Sequence, residues 1–207
     1  MSSVSGTRLW IQARRPRTLV VICVLQALHP WMASTTLVPL PSLLAGSLVD
    51  TPVAALAPIL MVAVVQLALD TDRNDWLACP VARFHLLDVG LVLSVAILGL
   101  LSGLIGIWQM GSTVHFTWAR NSLVYLGLGC VFRSIGGTRL MTLGPLVAGM
   151  IAIFFGRASD GKAEAWALPL AGGDSLQSVV FAAIILVIGV LVAMVLPPHH
   201  SRSARRS

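Results

Sequence analysis

Charged residues are scarce in this sequence. Only 11% of its 207 residues are Asp, Glu, Lys or Arg, whereas 57% are hydrophobic, and the mean hydropathy is +0.88. A soluble domain of this size needs far more charge to cover its surface. The alternating apolar and polar residues of an outer-membrane barrel are also missing. The composition therefore predicts an all-α, polytopic membrane protein.

Motifs for cross-links and for nucleotide binding are missing as well. The three cysteines, Cys23, Cys79 and Cys130, match no disulfide or metal spacing, so we expect free thiols that serve packing. No phosphate-binding loop of the GxxxxGK[ST] kind is present, so ATP-driven work would need an ATPase on another chain. No cofactor is expected in the present chain. The net charge of +6 lies at the chain ends and in loops, which fits anionic lipid headgroups better than nucleic acid.

Apolar runs of roughly membrane-spanning length divide the chain into three regions. Residues 18–198 are predicted to form a transmembrane domain of six helices. Residues 1–17 are a basic segment, which would form a short interfacial helix or stay an unstructured flank, and residues 199–207 are a basic tail. The predicted spans are residues 18–37, 52–69, 89–108, 118–132, 140–155 and 179–196, of which the fourth and fifth are short.

Residues 36–50, between the first two spans, are apolar but interrupted by Pro39, Pro41 and Gly46. These residues make the stretch too irregular for a full span. It contains no basic residue, and it would either dip back into the bilayer or lie along its surface. The sequence leaves this choice open.

The distribution of basic residues predicts an orientation. With six spans and a cytoplasmic N-terminus, only Arg120, Arg157 and Lys162 of the 14 basic residues lie outside. Cytoplasmic loops of membrane proteins carry an excess of Lys and Arg. We therefore predict that both chain termini, and the polar segment 70–88, are cytoplasmic.

Segment 70–88 holds half of the eight acidic residues, namely Asp70, Asp72, Asp75 and Asp88. A helix–loop–helix calcium site needs Gly at the sixth position and Glu at the twelfth, where this chain has Asp75 and Val81. An acidic segment at a membrane face could instead hold magnesium for diphosphate chemistry, as in membrane prenyltransferases. A second acidic motif, which those enzymes generally have, is not present.

Residues 173–176 spell Gly-Asp-Ser-Leu, the motif of a soluble hydrolase family. That motif requires an α/β scaffold, whereas here it directly precedes the last apolar run. We interpret it as a chance match and expect Asp174 or Ser175 to cap the last helix.

The layout resembles the six-span permease subunit of bacterial ABC exporters. The likeness lies in the basic segment 9–17, in the stretch 79–88 that opens the third span, in Arg120-Asn121 at the fourth span, and in a long connection between spans five and six. It implies a multi-pass protein of the bacterial cytoplasmic membrane that forms a homo- or heterodimer. Energy would come from a separate ATP-binding subunit.

The resemblance also implies roles for particular residues. The segment between the second and third spans would seat in a cleft of the ATPase, with docking residues Asp75, Trp76, Arg83, Phe84 and His85. Apart from the resemblance, a charge at the mouth of a short span usually faces a bundle interior or an aqueous cavity, so we predict that Arg120, with its neighbour Asn121, lines the substrate pathway. Two other hypotheses stay open at this point: a membrane enzyme that acts on lipid or prenyl substrates, and a non-transporting accessory membrane protein.

Overall fold

A computed structural model describes residues 16–33, 36–69, 81–111, 113–172 and 175–196. Most of these residues are helical, which confirms the predicted all-α class. A β-hairpin, β1 (Leu37–Ser42) and β2 (Ser47–Pro52), and two short 3-10 turns, Val53–Ala55 and Leu168–Leu170, complete the described elements. The α-helices of this part of the chain follow the order of the predicted spans: α1 (Pro16–Ala33), α2 (Pro58–Leu69), α3 (Val81–Met110), α4 (Val114–Gly136), α5 (Thr138–Phe155) and α6 (Leu176–Val195).

Consecutive helices run in opposite directions, which gives the bundle two different ends. Near one end, Asp88 in the early part of α3 pairs with Arg133 in the last turn of α4. We call this the basic end, because Arg17 and Arg139 also lie there, at the starts of α1 and α5. The opposite end carries the β-hairpin and the connection 156–172, and we call it the hairpin end.

Helix α4 is the centre of the bundle and packs against the other five helices. Most of its 23 residues are buried, and they include polar side chains from His115 to Ser122. The predicted fourth span, residues 118–132, lies within α4, which extends four residues beyond it at each end. Polar residues at both ends lower the local hydropathy, but they face the protein interior and continue the helix. Helix α5, with 18 residues, begins within two residues of its predicted start.

Glycines bring helix backbones into direct contact. A Cβ on Gly127 of α4 would lie 2.6 Å from the carbonyl oxygen of Ile185, and one on Gly189 of α6 would lie 2.3 Å from that of Gly127. On α3, a Cβ at Gly103 would lie 2.6 Å from the Cβ of Ala119. Small residues are the usual means of close helix packing in membranes, where lipid removes the hydrophobic drive for association.

Residues 36–50, whose course the sequence left open, form most of the β-hairpin. The two strands pair antiparallel from Leu37↔Pro52 to Ser42↔Ser47, around a turn that ends at Gly46 with φ of +65°. The amide of Leu43 donates a 2.9 Å hydrogen bond to the carbonyl of Phe154. The tip of the hairpin therefore lies beside the last turn of α5.

The outer surface of the bundle is apolar. On α6, for example, Ile184, Val187 and Leu191 are each about half exposed. Large exposed apolar patches are rare on soluble monomers, so this surface fits a membrane location. Within the described residues, the helical segments long and apolar enough to cross a bilayer are Leu86–Met110 and Leu176–Val195, and the shorter apolar ones are Arg17–Leu28, Val53–Leu69 and Arg139–Phe155.

Candidate functional site

Arg120 lies in the second turn of α4, inside the bundle and near the hairpin end, with only 1% of its surface exposed. Its Nε donates to Oδ1 of Asn121 at 3.1 Å, and its Nη2 donates to the carbonyl of Ala171 at 2.8 Å. Its Nη1 donates to the carbonyl of Gly172 at 2.7 Å and to Oγ of Ser178 at 3.0 Å. Four of the five guanidinium N–H groups are thus used within the protein. Arg120 holds the end of the 156–172 connection and the start of α6 against the central helix.

Two neighbours on α4 extend this polar cluster. The amide nitrogen of Asn121 donates to the carbonyls of Pro169, at 2.9 Å, and Ala55, at 3.3 Å. The hydroxyl of Tyr125 donates to the same Ala55 carbonyl at 3.0 Å. These bonds satisfy carbonyls at the two 3-10 turns, which would otherwise be buried without a partner at a large energetic cost.

An open groove of about 270 Å³ lies beside the segment that Arg120 holds. Three of its wall residues, Ala171, Gly172 and Ser178, are those that Arg120 contacts. Glu164 is the ionisable side chain among the described lining residues. The remaining lining residues are Ala163, Ala165, Leu168, Ser175, Gln177 and Phe181.

The groove combines polar and apolar surface. Glu164 provides a carboxylate and Gln177 an amide, whereas Phe181 provides an apolar surface that is 45% exposed. Small-molecule sites are usually enclosed clefts of about 300–1,000 Å³, and this groove is smaller and open to its surroundings. Its lining would suit at most a partly buried group that combines an apolar part with a polar or positively charged one.

The structure places the two predicted pathway residues next to the groove but behind its wall. Arg120 and Asn121 are hydrogen-bonded to each other, and neither side chain lines the groove. Their role in a substrate pathway stays a prediction. Sequence reasoning missed Glu164 and Gln177. The length of the connection between the last two spans pointed to this segment, but nothing in the sequence singled out these residues.

The predicted cap of the last helix is confirmed for Ser175. Its backbone is extended and its Oγ accepts a 3.3 Å hydrogen bond from the amide of Ser178, as an N-cap residue does. The hydroxyl of Ser178 in turn donates to the carbonyl of Ser175 at 2.7 Å. The cap thus fixes the Ser178 hydroxyl that Arg120 also contacts.

Arg157 orders the connection at the hairpin end and joins it to the hairpin. Its Nη1 donates to the carbonyl of Gly161 at 3.0 Å. Its Nη2 donates to the carbonyl of Asp50 and to Oγ1 of Thr51, both at 3.3 Å. At the exposed turn of this loop, the backbone amide of Lys162 donates to the carboxylate of Asp160 and lowers its pKa.

A second buried polar group joins three helices. Nε2 of Gln26, on α1, donates to the carbonyl of Val95 on α3 at 3.3 Å. Oε1 of the same side chain accepts a 3.3 Å bond from Nε1 of Trp118 on α4. Gln26 is 3% exposed, so these bonds satisfy an amide that would be costly to bury alone.

At the basic end, Nη2 of Arg133 lies 3.1 Å from Oδ2 of Asp88. The side chains are 13% and 6% exposed, so this ion pair between α4 and α3 is largely shielded from solvent. A small cavity beside the pair is lined by Asp88, Val89, Val92, Cys130, Arg133, Val190 and Ala193. Cys130 and Cys23 are free thiols, as predicted, and Cys130 is buried as a packing residue would be. Cys23 is exposed, so the predicted packing role is not seen for it, and Cys79 lies outside the described residues.

The predicted docking residues fall into two groups. Asp75 and Trp76 lie outside the described residues. Arg83, Phe84 and His85 lie in the first turns of α3, because that helix begins at Val81. The sequence placed the start of the third span at residue 89, so the last eight residues of segment 70–88 are helical.

The alternative of a metal-dependent enzyme stays untested by the geometry. No group of three or more His, Cys, Asp or Glu side chains suited to a metal ion occurs in the part of the chain that the structure describes. The acidic residues that motivated the alternative, Asp70, Asp72 and Asp75, lie outside that part.

Comparisons with protein-family models, with curated proteins and with solved structures gave no match to this chain.

Proposed function

We propose that this chain is the membrane-spanning permease subunit of an ABC-type exporter, which moves its substrate with energy from a separate ATPase subunit. The observation that carries the proposal is the arrangement of the two ends. A groove of about 270 Å³ lies at one end, beside the buried Arg120, and at the other end α2 finishes at Leu69 and α3 begins at Val81. The central helix α4 runs between them.

Helix lengths support six membrane crossings. At 1.5 Å per residue, the 23 residues of α4 extend about 35 Å, and the 18 residues of α1 and of α5 about 27 Å. These lengths match a hydrocarbon core of about 30 Å. Helix α2 alone is shorter, but the apolar stretch Val53–Leu69 that includes it has nearly the same reach.

Two exposed tryptophans at the hairpin end support a membrane surface at that level. Trp108, at the end of α3, is 85% exposed, and Trp166, in the 156–172 connection, is 53% exposed. Exposed tryptophans are enriched where headgroups meet the acyl chains. The groove lies at this same end, so we propose that substrate passes close to the bilayer surface.

The exposed arginines support the orientation of the proposal. Arg17 and Arg139 lie at the basic end, where the positive-inside rule places the cytoplasm. In the proposed arrangement, both chain termini and segment 70–80 are cytoplasmic. An ATPase subunit would meet the permease there, at the start of α3.

Reporter fusions test the orientation first. A reporter after Ser207 should be cytoplasmic, and one inserted within 161–164 should be on the opposite side. Both reporters on one side would contradict the six-span arrangement.

Reconstitution tests the transport function. The chain should co-purify with an ATP-binding subunit from its native membrane, and the complex in proteoliposomes should hydrolyse ATP faster when a substrate is present. A chain that purifies without any ATPase under mild detergent conditions, and that adds no ATP-dependent flux to vesicles, would contradict the proposal.

A further inference from the structure

The β-hairpin exposes an unusual amount of apolar surface for an element outside the helix bundle. It contains no charged residue from Leu37 to Val49. Both faces are largely open, since only Ser42 and Thr51 of its strands are buried. The exposed large side chains are Leu37 at 58%, Val38 at 38%, Leu43 at 62%, Leu44 at 55% and Leu48 at 67%. A two-stranded hairpin with such faces would be poorly stable in water.

The tip of the hairpin continues the apolar outer face of α5. The bond from the Leu43 amide to the Phe154 carbonyl places the tip at the last turn of that helix. In this turn and just before it, Met150, Ile151 and Phe155 are each nearly half exposed on the outer face of the bundle. The apolar surface of the tip is thus continuous with a face that, on a membrane protein, meets acyl chains.

The backbone of the hairpin decides how deep it can lie. Both of its strands are edge strands, and unpaired N–H and C=O groups are very unfavourable in the hydrocarbon core. Pro39 and Pro41 remove two N–H groups from β1, which lowers the cost of partial dehydration and hinders pairing with another strand. The other unpaired N–H and C=O groups along the strand edges still need hydrogen bonds from lipid headgroups or water. The favoured depth is therefore the boundary between headgroups and acyl chains.

The base of the hairpin is polar and fixed. Arg157 binds the carbonyl of Asp50 and the hydroxyl of Thr51, so the two strands leave the protein in a defined direction. The charges lie at the base, near Asp50 and Arg157, and the aliphatic side chains lie toward the tip. An element with this polarity fits an interface with water on one side and lipid on the other.

We propose that the β1–β2 hairpin is a lipid-binding element that inserts its tip, Leu43 and Leu44, into the acyl-chain boundary of the leaflet at the hairpin end. Its partner is the bilayer surface itself, and its strands lie among the headgroups. The proposal rests on the membrane location of the chain and not on transport. It applies equally to a permease and to an accessory membrane protein.

Site-directed spin labelling tests this proposal. In a cysteine-free background (Cys23→Ser, Cys79→Ser, Cys130→Ala), single labels would be placed at Leu44→Cys and, in a separate variant, at Leu48→Cys. Both native side chains are more than half exposed, so the labels should be tolerated. The full chain would be reconstituted in vesicles of phosphatidylcholine and phosphatidylglycerol. Collisions with oxygen, which partitions into lipid, and with a water-soluble nickel chelate would then be measured.

Two control labels define the scale. Asp160→Cys lies in a loop at the same end, and the native side chain is 54% exposed. Ile151→Cys lies on the outward face of α5. The Leu44 label should collide with oxygen severalfold more than with the chelate, close to the Ile151 value, and the Leu48 label should lie between the two controls.

Two results would overturn the proposal. Leu44 and Leu48 labels as accessible to the chelate as the Asp160 label would place the hairpin in water. Spin–spin broadening at Leu44 that disappears on dilution with unlabelled protein would show that a second copy of the chain covers the hairpin instead of lipid.

Discussion

The guanidinium of Arg133, near the end of α4, lies 3.1 Å from the carboxylate of Asp88, near the start of α3. The two residues are 45 positions apart in the chain, and little of either side chain is exposed. The pair is the direct electrostatic link between the central helix and the helix that follows segment 70–80. It therefore joins the part of the chain where we expect an ATPase to bind to the helix that carries Arg120.

Removal of both partners of this pair should destabilise the bundle by less than the sum of the two single removals. Asp88→Asn or Arg133→Gln alone leaves a buried charge without its partner, which costs about 3 kcal/mol. The double variant should lose clearly less than the sum of the two single losses. Thermal unfolding in detergent, monitored by size-exclusion chromatography, measures the stability of the two single variants and the double variant. Additive losses would mean that the two charges do not interact energetically.

Arg120→Leu should impair transport while membrane insertion stays intact. The substitution removes the donors to the carbonyls of Ala171 and Gly172, and a hydrogen bond from a charged group contributes about 1.5–3 kcal/mol. The groove wall should loosen as a result. Arg120→Lys should recover only part of the activity, because one ammonium group lacks the planar fork of the guanidinium.

Lys162→Leu is the matched control for Arg120. It also removes a positive charge at the hairpin end, but its side chain is 86% exposed and makes only a surface pair with Asp160. Flux into vesicles reports transport, and resistance to alkaline extraction reports insertion. Equal flux for Arg120→Leu and the control would show that Arg120 does not position the groove.

Gly127→Ala should separate α4 from α6 and lower the thermal midpoint. The new methyl group would meet the backbone of Ile185 and Leu186, which cannot rotate away, and overpacking of this kind costs about 1–3 kcal/mol. Gly90→Ala on α3 serves as the control, because a Cβ there meets nothing within 4 Å. Midpoints that shift equally in both variants would argue against the backbone contact.

Trp76→Ala and Arg83→Glu should each weaken co-purification with the ATPase subunit, by about 1–3 kcal/mol if these residues anchor the interface. Expression and insertion should be unchanged. Arg139→Glu provides a control at the basic end, since Arg139 is an exposed arginine at the start of α5. Unchanged co-purification of both docking variants would remove segment 75–85 from the proposed interface.

The helices were predictable because each carries an apolar run. The predicted bounds were least accurate where that signal is mixed. Polar residues such as His115 and Ser134 lie outside the predicted fourth span, yet they continue α4 and are buried. In residues 36–50, Pro39 and Pro41 correctly excluded a full span, but pairing with β2 depends on contacts that local sequence does not encode.

The candidate site was predictable only in part. A charge in an apolar helix was expected to face the interior, and Arg120 does so. Its partners are mainly backbone carbonyls, such as that of Gly172, which leave no trace in the sequence. The Asp88–Arg133 pair, by contrast, is visible in the sequence. Asp88 directly precedes the predicted third span and Arg133 directly follows the predicted fourth, so opposite charges lie on the same predicted side. Sequence analysis assigned Asp88 to the acidic segment and did not use this complementarity.

The backbone contact at Gly127 and Gly189 limits how this protein can change shape. Helices that interlock without intervening side chains resist sliding, because each small displacement brings main-chain atoms into collision. Helices α4 and α6 should consequently move as one rigid body. A conformational cycle would then have its hinges at helix interfaces other than that between α4 and α6.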